Sequence, residues 1–163
     1  EPPPPAPHAK SDRPLVQTVI IDRPLAEVYE LLTNFDLRLL WNRGVDDLRY
    51  EPNRVNRVGT RHHCVIGGSL IEFETVTNDF GEGRIAYGER VVQNPLVDDL
   101  VLYYVAESVE RGTRLTLEVH YSPKPFPRNL AAPLFRRQFG KRLPGILSAF
   151  KEAAEAEAPS GSL

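Results

Sequence analysis

Hydrophobic and polar positions change their period twice along this chain, and the changes divide it into elements. The apolar residues between Leu15 and Ile21 predict a first strand, which Asp22-Arg23-Pro24 stops. Asp22 is placed to cap a helix over 25–33, where Leu25, Val28, Leu31 and Leu32 share one side. Asn34 breaks that helix, and 35–41 read as a second short helix or turn ending in Trp41. The period then becomes two. Strands are expected near 45–51, 59–66, 69–77, 83–92, 99–109 and 113–121, punctuated by Gly67-Gly68, residues 79–83, Asn94-Pro95 and Arg111-Gly112. Beyond a link bearing Pro123, Pro125 and Pro127, a helical period returns over 130–156. There Phe135, Phe139, Leu143, Ile146 and Phe150 form one broad stripe, and Pro144 predicts a kink. This order predicts an α+β domain: a seven-stranded antiparallel sheet wrapped around a long C-terminal helix, with two short helices after the first strand.

The hairpin signals extend this to side-chain direction. A two-residue turn at Gly67-Gly68 sets Ile66 opposite Ser69, Cys64 opposite Ile71, His62 opposite Phe73 and Thr60 opposite Thr75 on one face. The other face then carries His63 with Glu72 and Arg61 with Glu74, charge-complementary pairs suited to water. A turn at Arg111-Gly112 puts Ser108 with Leu115, Ala106 with Leu117, Tyr104 with Val119 and Leu102 with Tyr121 inside, and sends Tyr103 and His120 outside. In the strand between, Ile85, Tyr87, Glu89 and Val91 are the more apolar set. The inner surface thus collects His62, Cys64, Phe73, Tyr87, Glu89, Tyr104 and Tyr121, an apolar group with a few polar handles, which is the composition of a ligand cavity. A slip of one residue would invert any strand's contribution.

Composition narrows the class. A length of 163 residues suits one well-buried domain. Twenty Lys/Arg against 22 Asp/Glu leave a formal charge of -2, which excludes a generally basic nucleic-acid coat. No apolar run approaches a membrane span and the first 20 residues lack a signal-peptide pattern, so no stable membrane insertion is expected. A single cysteine, Cys64, rules out an intramolecular disulfide and fits a cytoplasmic setting. The chain has no methionine and opens on Glu1 followed by four prolines. We therefore expect a piece of a longer chain, whose other domains are expected partners. Residues 1–13 read as a Pro-rich spacer, 14–156 as the domain and 157–163 as a tail.

Few residues carry a chemical signal. His62 and His63 are adjacent on a strand, so they point to opposite faces and cannot share a metal; no metal or other cofactor is expected. Cys64 and His62 share a face but stand about 6–7 Å apart along it, too far for direct activation of a nucleophile. Glu89, inward beside Tyr87, is the acid–base candidate, with His62 as its partner across the cavity. The competing account has Glu89 at the sheet's rim or paired with an arginine. Arg136, Arg137, Lys141 and Arg142 cluster on the last helix, with Arg128 nearby. They read as an ordinary solvated face, as the edge of a pocket for an acidic ligand, or as a surface beside anionic lipid. Trp41 reads as a core plug that also closes one end of the cavity.

Several stretches resemble the START-like superfamily, the helix-grip fold of Bet v 1-type proteins, lipid-transfer domains, and polyketide cyclases and dehydratases. They are the helix from Asp22-Arg23-Pro24 through Glu27-Val28-Tyr29-Glu30-Leu31-Leu32-Thr33, then Phe35-Asp36 running to Trp41, then Val58-Gly59-Thr60-Arg61, and the long closing helix. The resemblance implies a hydrophobic cavity between sheet and closing helix, lined by Tyr87, Tyr104 and Tyr121 on the sheet and by Phe135 and Phe139 on the helix. It also implies a small hydrophobic ligand: a lipid, polyketide or aromatic molecule. The inward aromatic residues come without a convincing catalytic set, so binding or transfer without catalysis is the leading expectation. Two alternatives stay open: a cyclase or dehydratase using His62 and Glu89, and a sensory module of a larger signalling protein such as a nucleotide cyclase.

Overall fold

The computed structural model describes Ser11, residues 13–124 and residues 128–156. The spacer through residue 10, Pro125, Pro127 and the tail from 157 lie outside the described residues. The elements, in order, are β1 (Leu15–Ile21), α1 (Leu25–Thr33), a 3-10 turn (Phe35–Leu37), α2 (Arg38–Trp41), β2 (Asp47–Arg49), β3 (Arg61–Ile66), β4 (Ser69–Gly81), β5 (Arg84–Val91), β6 (Val97–Val109), β7 (Gly112–Pro123) and α3 (Arg128–Glu155).

The seven strands form one antiparallel sheet in the order β1-β7-β6-β5-β4-β3-β2. β1 and β2 are neighbours in sequence yet occupy opposite edges, so α1 and α2 must cross between them. α3 packs on β1, β7 and β6 and against both short helices. Its buried side is the predicted stripe, with Phe135, Leu143 and Phe150 joined by Leu147. Pro133 and Pro144 both lie within this one helix, their rings exposed. The principal core unites Ile21, Val28, Leu32, Trp41, Tyr87, Tyr104, Leu115, Leu117, Val119 and the α3 stripe.

Asp22 does not cap α1. Pro24 holds the N-cap position without a side-chain bond, its fixed φ already suited to helix entry. The Asp22 N–H instead donates to Glu155 (2.8 Å), and the Arg23 guanidinium donates to the carbonyls of Ala154 (2.9 Å) and Glu155 (3.1 Å), tying the start of α1 to the end of α3. Asn34 does break the helix, and its side chain accepts from the Asp36 N–H at the start of the next turn.

The Gly67-Gly68 hairpin has the predicted register, from Ile66 opposite Ser69 to Arg61 opposite Glu74. The β6–β7 hairpin turns at Glu110-Arg111 rather than Arg111-Gly112, so Tyr104 meets Leu117 and Leu102 meets Val119. That slip is two residues, which changes partners and preserves faces. Gly112 explains the turn's position. Its φ is 94°, and a Cβ there would stand 2.1 Å from the Ile21 carbonyl oxygen, so the first residue of β7 must be glycine to let β1 pass.

Tyr103 and His120 lie on the outer face as expected, but water does not cover them: they are 4% and 2% exposed. Tyr103 joins Val76, Ala86, Val101 and Val105 in a second apolar cluster. A bulge between Thr75 and Thr77 sets Thr77 beside Val76 on that face, both against Gly88. His120 accepts from the Ser11 N–H (3.1 Å) and lies 2.8 Å from the Glu118 carboxylate.

Candidate functional site

β5 presents Tyr87 and Glu89 to the interior, β3 presents His62 opposite Phe73 of β4, and α2 turns Arg38 down onto them. The Arg38 guanidinium grips the Glu89 carboxylate with both terminal nitrogens, at 3.0 and 2.5 Å. The Tyr87 hydroxyl donates to the same carboxylate (2.6 Å) and accepts from Asn56 (2.8 Å), which in turn accepts from Thr75 (2.7 Å). The guanidinium also sits 5.0 Å from the Trp41 ring and 5.7 Å from that of Phe35. This is a fully buried, fork-shaped ion pair in which aromatic rings replace solvent around the cation.

His62 borders this network without joining it. Its ring stacks on Phe73 (5.2 Å between centroids) and tilts against Phe35 (4.5 Å), and Nε2 stands 3.9 Å from the Glu89 carboxylate, beyond hydrogen-bond reach. Both ring nitrogens are buried and have no hydrogen-bond partner among the described residues. A native interior rarely leaves such atoms unsatisfied without a reason in function or bound solvent.

The electrostatics follow from burial. For Glu89, burial alone would raise the pKa, but the Arg38 charge and the bonds from Arg38 and Tyr87 outweigh it and hold the carboxyl at about 2. Burial works against the charge on Arg38 as well, and Glu89 reverses that, pushing its pKa up. Burial lowers the His62 imidazole to about 4, with Glu89 opposing and Arg38 reinforcing the shift. The Cys64 thiol is pushed up to about 12 by burial and then by Glu89, which makes it an inert core group. Tyr87 and Tyr104 are raised by burial first and by Glu89 second. Near neutral pH the cluster therefore holds an ionised pair and a neutral imidazole. A carboxylate gripped in this way does not accept protons in that range.

These shifts set a pH dependence. The unfolded chain protonates its imidazole near 6.5 and the folded one near 4, so in that window the unfolded state holds more protons and acid favours it. Glu89 extends the loss from 4.5 down to about 2. Thermal melts across this range are expected to show stability falling in acid, beginning below about 6.5. His62→Phe should remove the upper part of that fall alone; a wild-type decline starting only below about 4.5 would contradict a neutral, buried His62.

Of the residues singled out in the sequence, Trp41, His62, Cys64, Phe73, Tyr87, Glu89 and Tyr104 come together on the inner face, all buried. Tyr121, Phe135 and Phe139 form a separate ring cluster where β7 meets α3, at 4.8 and 5.3 Å between centroids. Glu89 has its arginine partner, as the competing account allowed. Arg38 itself was not anticipated. Its only sequence signal is a cation set in the apolar run Leu37-Arg38-Leu39-Leu40-Trp41.

α3 packs on the β1, β7 and β6 side of the inner face, and toward β2 the helix contacts come from α1 and α2 instead. Leu48, Ile66, Ile71, Val91 and Leu102 there stay only partly buried. A cavity of about 780 Å³ opens at this end of the sheet, lined by Ile71, Val91, Val97 and Lys124 among others. A second, of about 390 Å³, lies between α1 and the segment 50–56. Neither is lined by any of the ten residues named from the sequence. Among the described residues no cluster of three or more His, Cys, Asp or Glu could hold a metal ion, and no helix is long and apolar enough to cross a membrane.

A sheet gripping one long helix, with a concave apolar face and a small buried polar cluster, defines the helix-grip class. Residues 14–155 match the family described as polyketide cyclase / dehydrase and lipid transport, and the chain belongs to that family. No curated protein matches the sequence. Among solved structures it is similar to MLL2253 from Mesorhizobium loti, at 17% identity and a TM-score of 0.65, over 90% of this chain and all of that one. It is likewise similar to BH1534 from Bacillus halodurans (10%, 0.67, 90% and 100%) and to TTHA0849 from Thermus thermophilus (19%, 0.64, 87% and 97%). At these identities the likeness establishes the fold alone. The fold is one that forms a cavity able to take a small hydrophobic molecule.

Proposed function

We propose that this chain binds a small hydrophobic molecule, without transforming it, on the part of the inner face that α3 leaves uncovered. The observation that carries this reading is the strip of Leu48, Ile66, Ile71, Val91 and Leu102, an apolar surface on the concave side that the protein's own helix does not fill. Apolar area of that kind is covered at a gain of about 25 cal/mol per Å². The pairing of Glu89 with Arg38 favours binding over proton transfer, since the carboxylate is already committed to a structural partner.

The test is native mass spectrometry after gentle purification, together with titration of an apolar fluorescent dye. A stoichiometric bound molecule, or dye binding in the micromolar range that mixed lipids and aromatics displace, is expected. Leu102→Glu and Ile71→Glu place a charge on the strip and should weaken dye binding by at least about tenfold. Dye binding that neither variant alters would remove the site from this face. An acid–base enzyme would instead consume a polyketide-like substrate and lose turnover in Glu89→Gln.

A further inference from the structure

We infer that the exposed face of the N-terminal half of α3 docks the protein on anionic membrane surfaces. This goes beyond ligand binding and does not depend on it. The first observation is charge placement. α3 holds six of the chain's 20 Lys/Arg and two of its 22 Asp/Glu, making it +4 in a chain of -2. No acidic residue occurs between Leu130 and Phe150.

The second observation is geometric. Leu130, Leu134, Arg137 and Lys141 are spaced four, three and four residues apart, so they project from one side of the helix over about 16 Å. That side faces solvent: Leu130 is 73% and Leu134 44% exposed, and Arg137 and Lys141 are exposed as well. Arg142 is exposed on the flank. Arg137, Lys141 and Arg142 enter no ion pair within the described residues, so their charge is available. Arg136 is also exposed but donates to the Arg13 carbonyl (2.7 Å).

Two exposed leucines among unpaired cations on a helix lying along the protein surface match the chemistry of a bilayer interface, with acidic headgroups for the cations and the acyl boundary for the leucines. An acidic protein partner would call for a shaped recess. Neither of the two cavities includes an α3 residue. Nucleic acid would satisfy the cations and leave the leucines without a contact.

Each cation near an anionic surface strengthens binding about fivefold, so Arg137, Lys141 and Arg142 together are worth on the order of a hundredfold between neutral and anionic membranes. The experiment is co-sedimentation of the full chain with vesicles of phosphatidylcholine alone and of phosphatidylcholine containing one-third phosphatidylserine. Binding to the second vesicle only, lost at about 0.5 M salt, is the expected result. Arg137→Glu with Lys141→Glu should lower that binding by at least about 25-fold, and Leu130→Ser with Leu134→Ser should lower it in low salt as well. All four side chains are exposed, and a circular-dichroism melt verifies that the variants fold. No sedimentation with either vesicle overturns the proposal, as does binding that both double variants leave unchanged. Retention on polyglutamate or DNA without vesicle binding overturns it too and assigns the face to a soluble polyanion.

Discussion

Arg38→Ala is expected to destabilise the fold by about 3–5 kcal/mol, measured by urea unfolding near neutral pH. The guanidinium is 1% exposed and supplies both strong bonds to a carboxylate that is equally buried. Its removal strands Glu89 with only the Tyr87 hydroxyl, because His62 is neutral and too distant to take its place. Glu89 then escapes the cost by binding a proton. With burial unopposed, its folded pKa rises above the unfolded value of 4.5, and the sign of the linkage inverts. Below that unfolded value the variant keeps the contribution of the protonated group, and it loses it as pH rises through the new folded pKa. Wild type does the opposite, losing the Glu89 contribution as pH falls. Arg38→Met combined with Glu89→Leu removes both charges while filling the space, and should recover most of the loss. If the single and double variants are equally unstable, the pair is not coupled and this account of the cluster is wrong.

Trp41→Ala is the second large effect, expected at about 3–5 kcal/mol. The indole is 1% exposed, meets Phe150 of α3 edge-on at 5.0 Å and Tyr104 of β6 at 6.3 Å, and donates to the Leu31 carbonyl of α1 at 3.0 Å. It thus joins α1, α3 and the sheet, and it also roofs the Arg38 guanidinium. Alanine would open a cavity and leave the Leu31 carbonyl without its partner. Trp41→Phe keeps most of the buried area and loses the hydrogen bond, so its cost should be nearer 1–2 kcal/mol. Chemical denaturation of both variants separates packing from the bond; an alanine cost below about 1 kcal/mol would mean that Trp41 does not anchor the core.

Both effects centre on one turn of helix, and that turn marks where sequence reading stopped. In Arg38-Leu39-Leu40-Trp41 the leucines are exposed, at 49% and 64%, and the arginine is buried. Residue polarity alone would place them the other way round. A helix of four residues has no periodic pattern from which to read its phase. Its phase follows from Trp41, which fills the gap between α1 and α3, and from Glu89, which waits on β5 for a cation. The contacts that fix it, Phe150 against Trp41 and Glu89 against Arg38, are remote in sequence.

Local period and turn chemistry were enough for most of the architecture. β1 and α1 have the bounds that their apolar spacing predicted, because strand and helix periods are properties of short segments. The β3–β4 register was legible because a two-residue glycine turn leaves one way to pair the strands. From these followed the inward set His62, Cys64, Phe73, Tyr87, Glu89 and Tyr104, and with it the concave face. Three things belonged to the tertiary structure alone. The β6–β7 turn moved by one residue, and the register by two, because the Ile21 carbonyl approaches Gly112 at a distance no side chain permits. On the outer face Tyr103 became buried through a second apolar cluster brought together by three strands, and His120 became buried beside Ser11 and Glu118. Glu89 received Arg38, and the His62 ring nitrogens received no hydrogen-bond partner among the described residues. Each depends on contacts between residues dozens of positions apart, and a one-dimensional pattern carries no distance across such a gap.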